Sequence, residues 1–332
     1  MSEMTYTFKG AGHEEPERKR KYEQPPQKLR EAFEKWLGGL PDRDNLDITQ
    51  DVIGKLAISA LSGLECSVSE ANSLLIHFSG HERITDAGIF LSVIYGKAHE
   101  KELVFDIDIG KPINSLGYRL PEDKTLLLKA PTQRLGEKAK GVVVNMSNSE
   151  TLESEGLTIN YGKAIIHSLH SDFPGINYGE SDYFGGGCTS FVINLGKAGE
   201  RFGGGAQLGI NYGTVGDNAG AELQGGEHML INCGKAGKNF GDSATGIIIT
   251  LTEPESYGKL DDSQLVLYPD DCKKIPKLGK LLYDLKAQLE QGRTDYKAAI
   301  RVCRRLSLDK LDSKIERILR DAGKLRIQER ED

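Results

Sequence analysis

Apolar and polar positions recur at a nearly fixed interval through the middle of the chain. A phrase that begins Ile-Asn and has Gly in fourth place occurs five times: INYGKA at 159–164, INYGES at 176–181, INLGKA at 193–198, INYGTV at 210–215 and INCGKA at 231–236. Its asparagines are separated by 17, 17, 17 and 21 residues. A fixed short period of this kind indicates a solenoid.

This period predicts a single-stranded parallel β-helix. Repeats built from paired helices need roughly 33 residues or more, and the pattern of leucine-rich repeats is absent. Alternation along a strand sends Ile to one face and Asn to the other, and the following Gly permits a bend. Equivalent residues of stacked coils then form ladders. The predicted structural ladders are Asn160, Asn177, Asn194, Asn211 and Asn232, and Gly162, Gly179, Gly196, Gly213 and Gly234.

A second pattern follows seven to nine residues after each asparagine. It predicts a buried residue and a glycine turn at another corner of the coil: Phe184-Gly185, Phe202-Gly203, Ala219-Gly220 and Phe240-Gly241. Weaker copies of the phrase at 76–80, 93–98, 107–112 and 144–146, with apolar runs at 247–251 and 265–267, extend the array to about ten coils. The coil register within 115–141 stays open.

The flanks of the repeat have a different character. Residues 1–25 are polar and predict a flexible tail, and 26–54 contains helix-spaced Leu29, Phe33 and Trp36, which predict a helix capping the first coil. The β-helix is expected over 55–270. Residues 271–332 predict a helical module of three amphipathic helices, beginning near Leu278, Tyr296 and Leu308. The module either caps the last coil or presents a partner surface, and its deletion from 273 is expected to leave the solenoid folded.

Composition narrows the class of protein. The chain has 332 residues, of which 38% are hydrophobic and 28% charged, a composition typical of a folded protein. It contains no apolar stretch of about 18 residues, so no membrane-spanning helix is predicted. The cysteines are odd in number and lack Cys-x-x-Cys spacing, which favours the cytoplasm and argues against a zinc site. They are Cys66, Cys188, Cys233, Cys272 and Cys303. No cofactor is expected.

Charge is distributed unevenly along the chain. Residues 273–332 contain 17 Lys and Arg against 10 Asp and Glu, a balance of +7, so the rest of the chain carries −13 of the total of −6. The C-terminal helices therefore offer basic residues to a protein or a nucleic acid. The candidate partner-binding residues are Arg301, Arg304, Arg305, Arg317 and Arg320.

Candidate catalytic chemistry is sparse. Asp182, Glu200 and Asp217 lie five or six residues after their asparagines, and a column of carboxylates would suit acid/base hydrolysis, as in glycoside cleavage. The alternative is that these loops are simply hydrated. A lysine column after the turn glycines is the second candidate: Lys97, Lys111, Lys163, Lys197 and Lys235. A Cys/His pair from Cys188 with His167, His170 and Asp172 is the third, although these histidines are expected in a loop without fixed geometry.

Residues 192–246 resemble a known family. The sub-pattern G-x-A-G-x-x-x-G at 196–203 and 234–241 resembles the GXGXG repeats of the glutamate synthase C-terminal domain and is similar to the β-helical subunit of formylmethanofuran dehydrogenase. The resemblance implies a right-handed parallel β-helix with a structural or subunit-contact role. The chain departs from those families in its Asn-Tyr-Gly phrase and in lacking their flavin, iron–sulfur and amidotransferase parts, so their reactions are not carried over.

Three functions follow as hypotheses. The leading one is a non-catalytic interaction scaffold that binds protein partners through the solenoid surface and the C-terminal helices. The second is a carbohydrate-active or other hydrolase that uses the carboxylate column. The third is association with nucleic acid through the basic helices.

Overall fold

The computed structural model describes residues 24–41, 50–168, 174–186, 190–221, 228–244, 246–260, 265–306 and 310–324. The fold is a parallel β-solenoid of about seven turns with flanking helices, which confirms the predicted class with fewer turns than expected. The flexible tail predicted at the N-terminus lies outside the described residues, except for its last two positions. The chain divides into two compact units near Thr158–Ala164.

The first unit begins with helices. They are α1 (Gln27–Gly38), α2 (Gln50–Ala60), α3 (Val68–His77) and α4 (Ala87–Lys97), with a short 3-10 turn at Ile84–Asp86. The apolar spacing of α1 buries Phe33 and Trp36, and the Phe33 ring lies 5.0 Å from that of Phe90 in α4. Ser67 and Glu70 form a reciprocal capping box that starts α3.

The structure places helices where the first coils were expected. The weak copies at 76–80 and 93–98 fall at the ends of α3 and α4, because the Ser67 cap starts a helix and α4 is apolar on nearly every side. A helix buried all round has no clear period in its sequence, so Val93–Ala98 passes for a repeat phrase although it lacks the asparagine. The solenoid starts at residue 102 instead of near 55. The helix expected within 26–54, over 27–38, is confirmed as α1, and the start of α2 lies in the same segment.

The first coils of the solenoid belong to this unit. Its strands are β1 (Glu102–Phe105), β2 (Thr125–Leu128), β3 (Thr132–Leu135), β4 (Val142–Asn145) and β5 (Asn148–Leu152). Parallel pairing joins β1 to β2, β2 to β4, and β3 to β5. The segment 115–141, whose register the sequence leaves open, therefore supplies β2 and β3. Residues 107–112 form a connection and no strand.

The second unit carries the regular coils, two strands to a coil. The strands are β6 (Thr158–Asn160) and β7 (Lys163–His167) at the division of the units, then β8 (Gly175–Asn177), β9 (Glu180–Phe184), β10 (Phe191–Asn194), β11 (Lys197–Ala198), β12 (Leu208–Asn211), β13 (Thr214–Val215), β14 (Met229–Asn232), β15 (Lys235–Ala236), β16 (Ile247–Thr250) and β17 (Leu265–Leu267). One sheet runs in the order β8-β10-β12-β14-β16-β17 and is called here the Asn sheet. The other runs β9-β11-β13-β15.

Among the described residues, four helices follow β17. They are α5 (Pro269–Lys273), α6 (Pro276–Glu290), α7 (Tyr296–Leu306) and α8 (Leu311–Asp321). Proline at the first helical position starts both α5 and α6, where its missing N–H costs no hydrogen bond. Each of α6 and α8 buries one apolar stripe, which includes Leu282 and Leu289 in α6 and Ile315 in α8.

Candidate functional site

The asparagine ladder lies inside the coil and is fully buried. Asn160, Asn177, Asn194, Asn211 and Asn232 each have an exposed fraction of zero. The Nδ2 of each of the first four donates to Oδ1 of the next asparagine at 2.8–2.9 Å. Each Nδ2 also donates to a backbone carbonyl of the following coil, such as Lys197 for Asn177. The ladder is therefore a structural element and offers no group to a ligand.

The glycines after the asparagines are required by the close approach of stacked backbones. A Cβ built on Gly213 would lie 2.1 Å from the Gly196 carbonyl oxygen, and the same holds at Gly196 and Gly234 within 0.1 Å. The glycines of the second corner are required for a different reason, their backbone conformation. Gly185, with φ +77°, has the left-handed backbone that side chains disfavour.

Replacing Asn194 by Leu is expected to lower the free energy of unfolding by about 1–3 kcal/mol, because it removes two buried hydrogen bonds, one from Asn177 Nδ2 to Asn194 Oδ1 and one from Asn194 Nδ2 to Asn211 Oδ1. Denaturant unfolding measures this loss. Asn148→Leu is the matched control, since Asn148 is an exposed strand residue and exposed substitutions change stability by about 0.5 kcal/mol or less. Equal stability of both variants would contradict the structural role of the ladder.

The opposite face of the Asn sheet is covered by the chain's own C-terminal helices. Val192 packs with the interior residues Phe184 and Phe202, so Ile193, its neighbour in the strand, points out of the coil. The outward isoleucines are nevertheless fully buried: Ile159, Ile176, Ile193, Ile210 and Ile231. The face that the sequence offers as an open ladder surface is thus already occupied.

Polar contacts fix α6 along this face. The hydroxyl of Tyr178 donates to the Leu289 carbonyl at 2.7 Å, and that of Tyr212 donates to the Leu282 carbonyl at 2.8 Å. Tyr161, whose ring stacks on Tyr178 at 4.9 Å, donates to the carbonyl of Gly292. Burial raises the pKa of all three phenols, so they remain hydrogen-bond donors at every ordinary pH.

Only two of the three acidic candidates lie in register, so the expected column of three does not form. Ala198 pairs with Val215, which places Glu200 opposite Asp217. Ala198 also pairs with Ser181, which places Gly199 opposite Asp182 and sets Asp182 apart from Glu200. The displacement arises because Asp182 follows its asparagine by five residues and Glu200 by six. All three side chains are exposed, and Asp217 Oδ1 accepts a hydrogen bond from the Lys238 N–H at 2.8 Å. Asp217 therefore serves to join two coils.

His167 is a core residue, which the sequence interpretation missed. It ends β7, is fully buried, and stacks on Phe184 with 4.4 Å between ring centroids and 10° between planes. Burial lowers its pKa to about 3. Its spacing of seven residues from Asn160 equals that of Phe184 from Asn177, a signal that identifies it as the first member of the aromatic column. His170, Asp172 and Cys188 lie outside the described residues.

The lysine candidates separate into two groups. Lys163, Lys197 and Lys235 are exposed and begin the second strand of their coils. Lys197 pairs with Glu180 at 2.9 Å, a surface contact that contributes at most about 1 kcal/mol. The remaining two stand outside the repeat, Lys97 at the end of α4 and Lys111 in the connection after β1.

The described thiols have no features of nucleophiles. Burial raises the pKa of Cys272 to about 11 and that of Cys303 to about 12. Both therefore carry their proton at neutral pH, and the thiolate is the reactive form.

The arginine candidates lie on the solvent side of α7 and α8. In α7, Ala299, Ile300 and Val302 are buried, whereas Lys297 and the three arginines are exposed. Arg301 pairs with Asp295 at 3.2 Å, and in α8 Arg320 pairs with Glu316 at 2.9 Å. Arg304, Arg305 and Arg317 form no ion pair with another described residue. Because α7 contains no acidic residue, its exposed side, called here the α7 basic face, is formed by Lys297, Arg301, Arg304 and Arg305.

Comparison with known proteins identifies no relative of this chain, so any functional conclusion depends on its own structure. No protein-family model, no curated protein and no solved structure matches the chain. In the described part of the chain, no group of three or more His, Cys, Asp or Glu is placed to hold a metal ion. None of the described helices combines the length and apolar character needed to cross a membrane.

Proposed function

We propose that this protein is a non-catalytic interaction scaffold. The solenoid acts as a rigid support, and the α7 basic face binds an acidic surface of a protein partner. The observation that carries the proposal is the arrangement of α7: its apolar side is buried while four cations at positions i, i+4, i+7 and i+8 are exposed. Residues at these intervals share one side of a helix.

The attachment of the helices supports a binding role. The Tyr178 and Tyr212 hydroxyls bond to carbonyls of α6, and the Arg293 guanidinium donates to the Leu195 carbonyl at 3.0 Å. Side chains presented from a fixed element lose less conformational freedom on binding than those on a mobile segment. The helical layer is therefore already ordered for a partner.

An acidic protein fits this face better than a nucleic acid. Proteins that bind duplex DNA tightly neutralise about six to ten phosphates, whereas the α7 basic face offers four cations, one of which pairs with Asp295. The chain as a whole carries a net charge of −6, which repels a polyanion at long range. A short acidic patch of a protein requires fewer contacts.

The test is affinity capture from the protein's own cells, with identification of stoichiometric partners. The triple variant R301E/R304E/R305E is compared with K101E/K129E/K140E, which makes the same charge change at exposed sites of the first unit. We expect wild type and control to retain one partner after nuclease treatment, and the α7 variant to bind the purified partner at least about tenfold more weakly. Equal retention by both variants, or release by nuclease, would contradict the proposal.

A further inference from the structure

Helix α2 exposes an apolar side to solvent. Val52 is 44% exposed, Leu56 36% and Ile58 53%, so three of the seven exposed large hydrophobic residues in the described part of the chain lie on this one helix of 11 residues. The opposite side, with Gly54 and Ala57, is buried. Clustered exposed apolar side chains mark interaction surfaces, whereas isolated ones do not. The exposed side, formed by Val52, Lys55, Leu56 and Ile58, is called here the α2 face.

A group of cations borders the α2 face. Asp51, in the first turn of α2, accepts a hydrogen bond from the Tyr118 hydroxyl and forms ion pairs with Arg119 at 3.0 Å and Lys138 at 3.4 Å. Two cations therefore share one carboxylate. With Lys55, which is exposed, three cations stand against the carboxylates of Asp51 and Glu137, so the α2 face and its border carry a net charge of +1.

The border is held in a fixed geometry. Arg119 and Lys138 have φ of +53° and +56°, a backbone region that long side chains rarely adopt. The Arg119 N–H donates to the Glu137 carbonyl at 3.1 Å. Both cations also lie near the ring of Tyr118, 5.6 and 5.8 Å from its centroid. Such conformations persist where the surrounding structure enforces them, as in the turns of the regular coils, where Arg201, Asn218 and Asn239 also have positive φ.

We propose that the α2 face docks a short acidic amphipathic helix of a protein partner. Its apolar residues would pack on Val52, Leu56 and Ile58, and its carboxylates would meet Lys55, Arg119 and Lys138. This surface lies in the first unit and is independent of the α7 basic face.

Charge decides between this occupant and a second copy of the chain. In a twofold contact, each residue near the axis meets its own copy. Lys55 lies between Val52 and Ile58 on the helix surface, so a symmetric pairing of two α2 faces would bring the two Lys55 ammonium groups together. An acidic segment turns the same charge into an attraction. A nucleic acid has no apolar side to cover Val52 and Leu56.

Two labelled synthetic helical peptides test the proposal against the full-length protein by fluorescence anisotropy. They share a leucine stripe and differ only in having Glu or Lys at the polar positions. We expect the Glu peptide to bind at least about tenfold more tightly than the Lys peptide, with loss of binding in Leu56→Asp. Lys55→Glu, at an exposed site, is expected to remove the preference for the Glu peptide. Tyr283→Asp, at a residue 73% exposed on α6, is the control and is expected to bind as wild type does.

Three results would overturn this assignment. One is failure of both peptides to bind, and another is equal binding of the two. The third is that the free protein forms a concentration-dependent dimer and that Leu56→Asp dissociates it. This would show that the α2 face binds a second copy of the chain. Circular dichroism of each variant verifies that the fold is retained. Neither peptide addresses the α7 basic face, so the two proposals fail separately.

Discussion

Truncation after Lys274 is expected to destabilise the solenoid severely. The deletion removes α6 to α8 and exposes the outward isoleucines, among them Ile176, Ile193 and Ile210, which are fully buried beneath the helical layer. Burial of one such side chain contributes about 1.5–3 kcal/mol, so exposing the row costs a large part of the roughly 5–15 kcal/mol that stabilises a typical domain. Thermal unfolding and gel filtration measure the result, and we expect aggregation or a loss of cooperative unfolding.

A smaller change tests the same contact without removing it. Tyr212→Phe deletes the hydroxyl that bonds to the Leu282 carbonyl and is expected to lower stability by about 0.5–1.5 kcal/mol. Tyr183→Phe is the control: it makes the same chemical change at a residue that is 46% exposed, where little change in stability is expected. A truncated protein that unfolds at the wild-type temperature would show that the helices are the separable appendage expected from the sequence.

The regular coils could be predicted because each coil repeats the same physical demand. Each asparagine hydrogen-bonds to the equivalent asparagine of the neighbouring coils, and each glycine lets two backbones approach closely, so both recur at 17 residues with one step of 21. The covering of the Asn sheet was less evident. A strand buried on both faces is nearly continuously apolar, and Phe191-Val192-Ile193 is such a run, but the sequence does not reveal which element covers the outer side. The leucine spacing of α6 indicates that one side of this helix is buried, but it does not identify the surface that the helix packs against.

The candidate site was predicted unevenly, and register explains the difference. The α7 arginines follow from helical periodicity, which is local to one element. The carboxylate column depends on alignment between coils, and Asp182 lies opposite Gly199 because each is the fifth residue after its asparagine, whereas Glu200 is the sixth. The prediction treats the fifth and sixth positions after the asparagine as equivalent, although a difference of one residue moves a side chain to the other face of a strand. The α2 face was missed because 55–98 was assigned to the solenoid.

His167→Phe is expected to stabilise the protein in acid and to remove part of its pH dependence. His167 is buried in the aromatic column, at the place that Phe184 and Phe202 hold in the next two coils, so a phenyl ring fits the position. Burial lowers the pKa of this imidazole from 6.5 to about 3. The folded protein therefore binds the proton less readily than the unfolded chain does.

The sign of the effect follows from this difference. Above pH about 6.5 the histidine is neutral in both states, and its contribution to stability is complete. As the pH falls from about 6.5 towards about 3, only the unfolded chain takes up the proton, so stability declines by up to about 1.4 kcal/mol per pH unit. Between pH 7 and pH 5 the wild type should therefore lose about 2 kcal/mol more than His167→Phe.

Urea unfolding at pH 7 and pH 5 measures this difference in stability, in which the contributions of carboxylates common to both proteins cancel. His99→Phe, at an exposed histidine, should behave as wild type does. If wild type and His167→Phe lost the same stability, the imidazole would have to be accessible to protons in the folded protein, contrary to its place between coils.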